Sequence, residues 1–248
     1  MPLLTLSRKQ MAELLLALHS NEGDKPALIL KEAWLELNDI EDESLIKGLG
    51  EGSLPGIFEK IMKGTNKELG FSINEIVSLG NQIEYSSFST TAVQNWVKRD
   101  VRNLIGSPHK GKKYSLEQAA ILFIVEDLKS TLDFVSIRNL LMLIFNNIED
   151  RHDDLIDPIH FYHTYATVFE ELDLNDDNVV DVDFRVKDGK KAESLIYQKA
   201  DEKITEFNTL TEKQRSIVKN ALVIATLSVQ TSYFQSVSRQ FLNSTLFI

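Results

Sequence analysis

The stretch STTAVQNWVKRD, residues 89–100, joins a helix-capping residue, a short helical pattern and a basic pair. Ser89 or Thr90 can cap the helix, and the 3.6-residue period divides its side chains between two faces. The apolar face, which we expect to pack inward, holds Ala92, Val93, Trp96 and Val97. The opposite face, called the polar face below, holds Thr91, Gln94, Asn95 and Lys98. The pattern predicts a short helix with one packed side and one exposed side.

The same stretch begins a basic segment, residues 94–113, in an otherwise acidic chain. Six basic residues and one acidic residue give these 20 residues a charge of +5. The whole chain carries −10, so the other 228 residues carry −15. Clustered Lys and Arg residues neutralise phosphates and release counterions, whereas the acidic remainder repels DNA. The basic residues are Lys98, Arg99, Arg102, Lys110, Lys112 and Lys113.

The exposed residue types suit contact with nucleic acid. Gln and Asn match the edge of adenine, and Lys or Arg matches guanine or phosphate. A helix over 72–79, a turn and the 90–98 helix predict a helix-turn-helix that places 90–98 in the major groove. The segment GSPHKGKKY, 106–114, has the turn chemistry of a small hairpin wing whose lysines hold the DNA backbone. The alternative is an ordinary surface helix, in which Lys98 and Arg99 only complement the helix dipole.

Helical periodicity dominates the rest of the chain and predicts a mostly α protein. Capping boxes at Ser7 with Gln10 and at Ser115 with Gln118 begin two apolar helices. Residues 173–191 are open to two interpretations, a hairpin or an extended linker. The last predicted helix is apolar over more than one stripe, which fits packing within the chain and packing against a second copy equally well. The further predicted helices cover 27–47, 57–63, 158–172, 192–208 and 211–243, and one begins near Asp133.

The order of these features resembles the MerR-type winged helix-turn-helix. STTAVQNWVKRDV, Pro108 and KKYSLEQAAILFIVEDLK follow the order of recognition helix, wing and long helix. The chain is similar, more specifically, to an uncharacterised bacterial domain-of-unknown-function family that is regarded as MerR-like. That family shares QNWVKR and KKYS, an upstream LPGIFEKIMK at 54–63, and an acidic stretch followed by Tyr at 150–162. The resemblance covers residues 54–170.

The resemblance implies a fold and roles for individual residues. It implies a MerR-like winged helix-turn-helix, which we place at 67–149, and the helical patterns on either side predict an N-terminal helical region at 1–66 and a helical dimerisation or sensing region at 150–248. Where the family commonly has Gly, this chain has Asp100, which in a DNA reader should turn away from the phosphates toward Arg99 or Arg102. The full predicted contact set is Thr90, Thr91, Gln94, Asn95, Lys98, Arg99, Arg102, Lys110, Lys112, Lys113 and Tyr114.

Other classes of site find little support in the sequence. The chain has no cysteine, which excludes disulfides, thiol catalysis and cysteine-ligated zinc. DLNDDNVVDVDF, 173–184, lacks the Gly and Glu of a calcium loop, and the pair His160 and His163 is more typical of helix packing than of a metal site. No Walker, GxGxxG, GxSxG or HExxH motif occurs, so we expect neither an enzyme nor a cofactor. Without a signal peptide or an apolar span, the chain is predicted to be cytoplasmic and free of membrane contact.

These observations predict a sequence-specific transcription regulator that binds double-stranded DNA. Proteins that read DNA in this way bind two half-sites as dimers, so a homodimer is expected. The region after residue 150 leaves room for an unidentified small-molecule effector. The alternative is a helical protein-interaction module that uses the same basic segment on an acidic protein partner.

Overall fold

The computed structural model describes residues 4–37, 55–63, 69–109, 111–146, 151–175, 177–181, 191–207 and 209–246. Within these ranges the chain is mostly helical, and its β-structure consists of isolated bridges, among them Leu6 with Ile83 and Phe71 with Tyr114. A π-helical turn covers Trp96–Asp100 and a 3-10 turn covers Arg151–Asp153. The mostly α prediction is confirmed. The α-helices are α1 (Arg8–His19), α2 (Lys25–Leu37), α3 (Gly56–Lys63), α4 (Ile73–Gly80), α5 (Thr90–Asn95), α6 (Arg102–Ile105), α7 (Leu116–Leu128), α8 (Phe134–Met142), α9 (Pro158–Glu170), α10 (Ala192–Ile204) and α11 (Glu212–Leu246).

The helix starts that were predicted from capping residues are confirmed. Ser7 before α1 and Ser115 before α7 each form a complete capping box with the residue three positions later. Ser72 caps α4 in the same way, and Ser89, rather than Thr90, caps α5. These side-chain oxygens satisfy backbone N–H groups that have no partner inside the helix. Local sequence therefore fixes where most of these helices begin.

One hydrophobic core connects all three predicted regions. At its centre lie α7 and α9, which contact each other and both contact α1 and α11. Every residue of α7 except Glu117 is buried, including three polar ones. A helix that is buried on all sides must be covered by several neighbours. The helices α1, α7 and α9 come from three different predicted regions and share this core. The boundaries at 66 and 149 therefore do not separate independent cores and remain predictions.

The two halves of the last helix, α11, differ in burial. Residues from Val218 to Val229 supply its buried positions, where α11 packs against α7, α9 and α10. From residue 234 onward the helix projects, and most of its apolar side chains are exposed, namely Phe234, Phe241, Leu242 and Leu246. None of the described helices has the length and continuous apolar character that a membrane span requires. Of the other predictions, the helix over 27–47 is described from Lys25 as far as Leu37, and residues 38–54 and 182–190 lie outside the described part of the chain.

The connection between α4 and α5 is longer than the turn of a typical helix-turn-helix. It runs from 81 to 89, whereas a helix-turn-helix typically uses a turn of about three or four residues. The connection is held from outside, since Leu6 exchanges backbone hydrogen bonds with Gln82 and Glu84. It is also held from inside, where the Asn81 amide donates to the Phe88 carbonyl (3.1 Å) and accepts from the Phe88 N–H (2.8 Å). This double contact fixes the angle at which α5 begins.

Candidate nucleic-acid interface

The two faces of the 90–100 segment are divided as the helical period predicts. Val93, Trp96 and Val97 are at most 6% exposed and belong to the core. The polar face points outward, with Thr91, Gln94, Asn95 and Lys98 all exposed. Thr90, at the first position of α5, is half-buried. The sequence therefore predicted both the packing side and the free side of this segment.

The polar face and its basic neighbours have no partners within the described part of the chain. The side chains of Gln94, Asn95 and Lys98 form neither a hydrogen bond nor an ion pair with any described residue. The same is true of three other exposed basic residues of the basic segment, Arg102, Lys112 and Lys113. In a chain with ten more acidic than basic charges, these amides and cations remain available for an external ligand.

Arg99 and Asp100 form the exception. The Arg99 Nε donates to the Asp100 carboxylate at 2.7 Å, and this hydrogen bond raises the pKa of the Arg99 guanidinium. The Asp100 side chain is 16% exposed, against 75% for Arg99. Arg138 of α8 donates to the Asp100 backbone carbonyl at 2.6 Å and so caps the end of the turn. Asp100 is therefore directed at Arg99, the orientation that the sequence analysis expected for a DNA reader. The two opposite charges of the pair cancel.

The helix widens where the basic residues begin. The Val101 N–H donates to the Trp96 carbonyl five residues earlier (2.9 Å), so Trp96–Asp100 is a π-helical turn. Such turns are rare and occur mostly as single insertions, frequently at functional sites. The turn changes the direction in which Lys98 and Arg99 leave the helix relative to Gln94. Helical periodicity could not predict this, because it assumes one constant rotation per residue.

The predicted hairpin wing stays a prediction, because the described residues of 106–114 include only part of its tip. No strand ladder forms there, and Lys110 lies outside the described residues. Instead Tyr114 pairs with Phe71, through backbone hydrogen bonds of 2.8 and 2.9 Å. The Gln118 side-chain amide holds the other end of the loop by donating to the Ile105 and Ser107 carbonyls at 2.6 and 2.8 Å. Both ends of the loop are therefore anchored to residues outside it.

Tyr114 is the one predicted contact residue that the structure moves into the core. It is 6% exposed, and burial raises the pKa of its hydroxyl. Its bridge to Phe71 turns the ring inward, whereas the preceding Lys112 and Lys113 are exposed. We therefore remove Tyr114 from the contact set and assign it to anchoring the loop.

Trp96 connects the interface to the centre of the protein. Its ring lies 6.2 Å from Phe88 and 6.1 Å from Phe134, measured between ring centroids. The Lys129 ammonium, at the end of α7, lies 5.4 Å from the Trp96 ring centroid, within cation–π distance. The contacts of Lys129 and Arg138 were missed at the sequence level, because they come from α7 and α8 and have no signature near residue 96.

Two weaker candidate sites gain nothing from the structure. In the 173–184 segment both Asp173 oxygens already accept backbone N–H groups, from Asp177 and Asn178, and Phe184 lies outside the described residues. His160 pairs with Asp157 of its own helix (3.2 Å). No three His, Asp or Glu side chains converge on a common point in the described ranges. Neither segment therefore supports a metal centre.

The candidate interface lies inside a domain that other proteins share. The model of the domain of unknown function DUF1836 matches residues 68–165. Over 241 residues the chain is 36% identical to the uncharacterized protein YkrK of Bacillus subtilis (strain 168), and the match covers 97% of each chain. No solved structure matches the chain.

Proposed function

The chain belongs to a bacterial family of unknown function, to which the DUF1836 match and its relative YkrK both assign it, and on this premise we propose that it is a sequence-specific DNA-binding regulator. The segment 90–100 is the reading element, with the base edges of a major groove as its target. The MerR-like, winged form of the domain is part of this proposal. It is supported by the order α4, α5, anchored loop and α7.

One observation carries the proposal. An acidic protein keeps a set of exposed amides and cations unpaired along one helix and the loop that follows it. An acidic surface with no ligand for these groups would be expected to pair some of them, as it pairs Lys199 and Lys203 with Glu171. DNA offers the two partners that this set lacks, phosphates for the cations and base edges for the amides.

The contacts divide into two classes. Gln94 and Asn95 have the chemistry to read bases, each with one donor and one acceptor on a planar amide. Lys98, Arg102, Lys112 and Lys113 have the chemistry to hold phosphates and set the register. Arg99, already paired with Asp100, contributes less than a free arginine because it would have to leave that partner first.

A homodimer completes the proposal. Two copies would place two reading segments on successive turns of one face of DNA, about 34 Å apart. The projecting part of α11 is the element that suits self-association, since Phe234 and Phe241 are exposed and seven residues apart. A seven-residue apolar spacing is typical of paired helices.

Selection from a random DNA pool at near-physiological salt tests the proposal, followed by affinity measurements on the selected site. We expect a palindromic site and an affinity that falls as salt rises. The double variant Asn95→Ala, Lys98→Ala should lose about 1–3 kcal/mol for the amide contact and reduce the salt slope by about one contact. The matched control is Lys213→Ala, Asn220→Ala, the same residue types exposed on α11.

The outcome separates DNA binding from the alternative of an acidic protein partner. Wild-type binding that is no tighter, and no more salt-sensitive, than binding by the Asn95, Lys98 double variant removes the proposal. A partner captured from a nuclease-treated lysate and lost in the same variant would instead support the protein-interaction module. The Lys213, Asn220 control should behave as wild type in both experiments.

A further inference from the structure

A polar cleft lies behind the candidate interface. It encloses about 150 Å³ between residues 85–87, the end of α7 and the projecting half of α11, and every residue that lines it has a polar side chain. Packing voids are usually apolar and dry, whereas a polar cavity holds water or a polar ligand. Typical pockets for drug-sized ligands begin at about 300 Å³, so the volume suits a small metabolite.

The charges in the cleft favour an anion. Glu126 and Lys129, three residues apart at the end of α7, form an ion pair on one side of the cleft, with 2.9 Å between the carboxylate oxygen and the ammonium nitrogen. Arg239 of α11 adds a second cation and has no partner among the described residues. Burial raises the pKa of Glu126, although Lys129 acts in the opposite direction. The cleft therefore holds one more positive than negative charge when all three groups are ionised.

The neutral side chains add hydrogen-bond donors. The Tyr85 hydroxyl accepts from the Asn178 amide at 3.3 Å, which leaves its own proton free to donate. The Ser87 hydroxyl has no partner among the described residues. Tyr85 has a φ of 57°, an unusual value for a bulky residue, and its ring is held edge-on against Tyr233 at 5.0 Å. Both donors thus lie in the connection between α4 and α5, and contact with α11 holds the Tyr85 ring in place.

The cleft joins the proposed reading element to α11. Its Lys129 also lies over the Trp96 ring, and Ser87 lies two residues before the cap of α5. On the other side, the Gln235 amide of α11 donates to the Ser130 carbonyl at 3.0 Å. A ligand that attracts Lys129 would change the cation–π contact with Trp96. It would also change the packing of α11 against the end of α7.

We propose that this cleft binds a small organic anion through its carboxylate or phosphate group. Arg239 and Lys129 provide the charges, and Tyr85 and Ser87 donate hydrogen bonds. Occupation of the cleft changes the affinity for DNA, because it acts on Lys129 and on α11. The binding step stands without the proposed DNA function, whereas the change in DNA affinity rests on it.

The fluorescence of Trp96 tests the binding step directly. The chain has two tryptophans, so a Trp34→Phe protein reports on Trp96 alone. We expect a saturable change when inorganic phosphate or malonate is added at constant ionic strength, with chloride as the reference. Adding Arg239→Gln to this protein should weaken the apparent affinity at least tenfold, which corresponds to about 1.4 kcal/mol. Ser87→Ala should weaken it less, and Lys98→Gln, on the proposed DNA-binding face, should leave it unchanged.

The results separate failure of the cleft from failure of the DNA proposal. No saturation with either anion, or saturation that Arg239→Gln does not affect, overturns the anion site. Weakening by Lys98→Gln as well would assign the anion to the DNA face and also overturn it. If the anion binds as expected but the affinity for a selected DNA site stays the same, the coupling is wrong. If no DNA binds at all, the proposed function fails while the anion site stands.

Discussion

The most deeply buried charges among the described residues form one hydrogen-bonded group at the centre of the core. Arg8 of α1 donates to Asp127 of α7 at 2.9 Å, and both side chains are at most 5% exposed. The other Asp127 oxygen accepts from the Tyr165 hydroxyl at 2.7 Å. A second Arg8 nitrogen donates to the Glu84 carbonyl at 3.1 Å, in the connection before α5. This group ties the N-terminal helix to the candidate interface.

Replacement of Asp127 tests the contribution of this group. Removing one partner from a buried pair leaves an uncompensated charge, so we expect Asp127→Asn to lower the free energy of unfolding by about 3 kcal/mol or more. Asp201→Asn is the matched control, because Asp201 accepts from Lys219 at 2.7 Å but is 61% exposed. Exposed pairs contribute at most about 1 kcal/mol. Urea unfolding measures both, and equal losses would contradict the assigned role of burial.

His163 gives the folded state a dependence on pH. Burial lowers its pKa to about 4 from 6.5, and nearby positive charges act in the same direction. The unfolded chain therefore takes up a proton between pH 6.5 and 4 while the folded chain does not, so this contribution to stability is lost as pH falls. His163 is partly exposed, so we expect a loss of no more than about 2 kcal/mol from pH 7.5 to 4.5. His163→Gln should reduce the measured loss.

His160, on the same helix, gives stability a pH dependence of the opposite sign. Its hydrogen bond to Asp157 raises its pKa above 6.5, so it stabilises the folded state at low pH and loses this effect as pH rises through its folded-state pKa. His160→Gln should therefore increase the loss of stability on acidification. Urea midpoints of the two variants and the wild type at pH 7.5 and 4.5 provide the measurement. Parallel losses in all three proteins would show that neither histidine controls the acid response.

At the scale of elements, close packing fixes the entry into α5. A Cβ atom added at Gly80, the last residue of α4, would lie 2.6 Å from the Phe88 ring. Phe88 cannot move away freely, since Asn81 holds its backbone on both sides. We expect Gly80→Ala to cost about 1–3 kcal/mol through overpacking. Gly56→Ala at the start of α3 meets no atom within 4 Å and should be neutral or slightly stabilising, as chemical denaturation of both variants can show.

The helices were predictable because their signals are local. The contacts that hold the connections were not predictable. Ser72, Ser89 and Ser115 lie within three residues of the N–H groups they cap, so sequence spacing reveals them. The bridge from Leu6 to Ile83 and the bridge from Phe71 to Tyr114 join residues distant in sequence. Nothing in a tight-turn or hairpin pattern encodes such a partner. The contacts that anchor the connection before α5 and the loop after α6 were therefore not predictable from local sequence.

The candidate interface was predictable to the same extent. The helical period identified Gln94, Asn95 and Lys98 as exposed, and a sequence count identified the charge that surrounds them. The burial of Tyr114 depends on Phe71, and the widened turn after Trp96 on a backbone bond that no periodicity describes. Sequence thus predicts which side chains are free, whereas tertiary contacts decide how they are directed.

For the whole molecule, the division of α11 distinguishes two roles that its sequence left equally open. Up to Val229 the helix fills the core of its own chain. Beyond it, Phe241 is 72% exposed and Leu246 is 64% exposed. Neighbouring Ser and Thr hydroxyls in this part donate to the carbonyl four residues earlier, for example Ser238 to Phe234 at 2.8 Å. Internal packing and an unpartnered apolar stripe therefore belong to different halves of one helix.

Self-association through this stripe is the prediction for the whole molecule. An exposed apolar helix face is unfavourable in water, and a second copy would cover it symmetrically. We expect sedimentation or light scattering to give twice the chain mass at micromolar concentration. Phe234→Ser with Phe241→Ser should give monomers of unchanged helix content by circular dichroism, and the monomers should bind one half-site weakly. Gln240→Ser with Asn243→Ser, polar positions on the same exposed segment, should remain dimeric. A monomeric wild type would exclude this interface and leave any DNA reading to single chains.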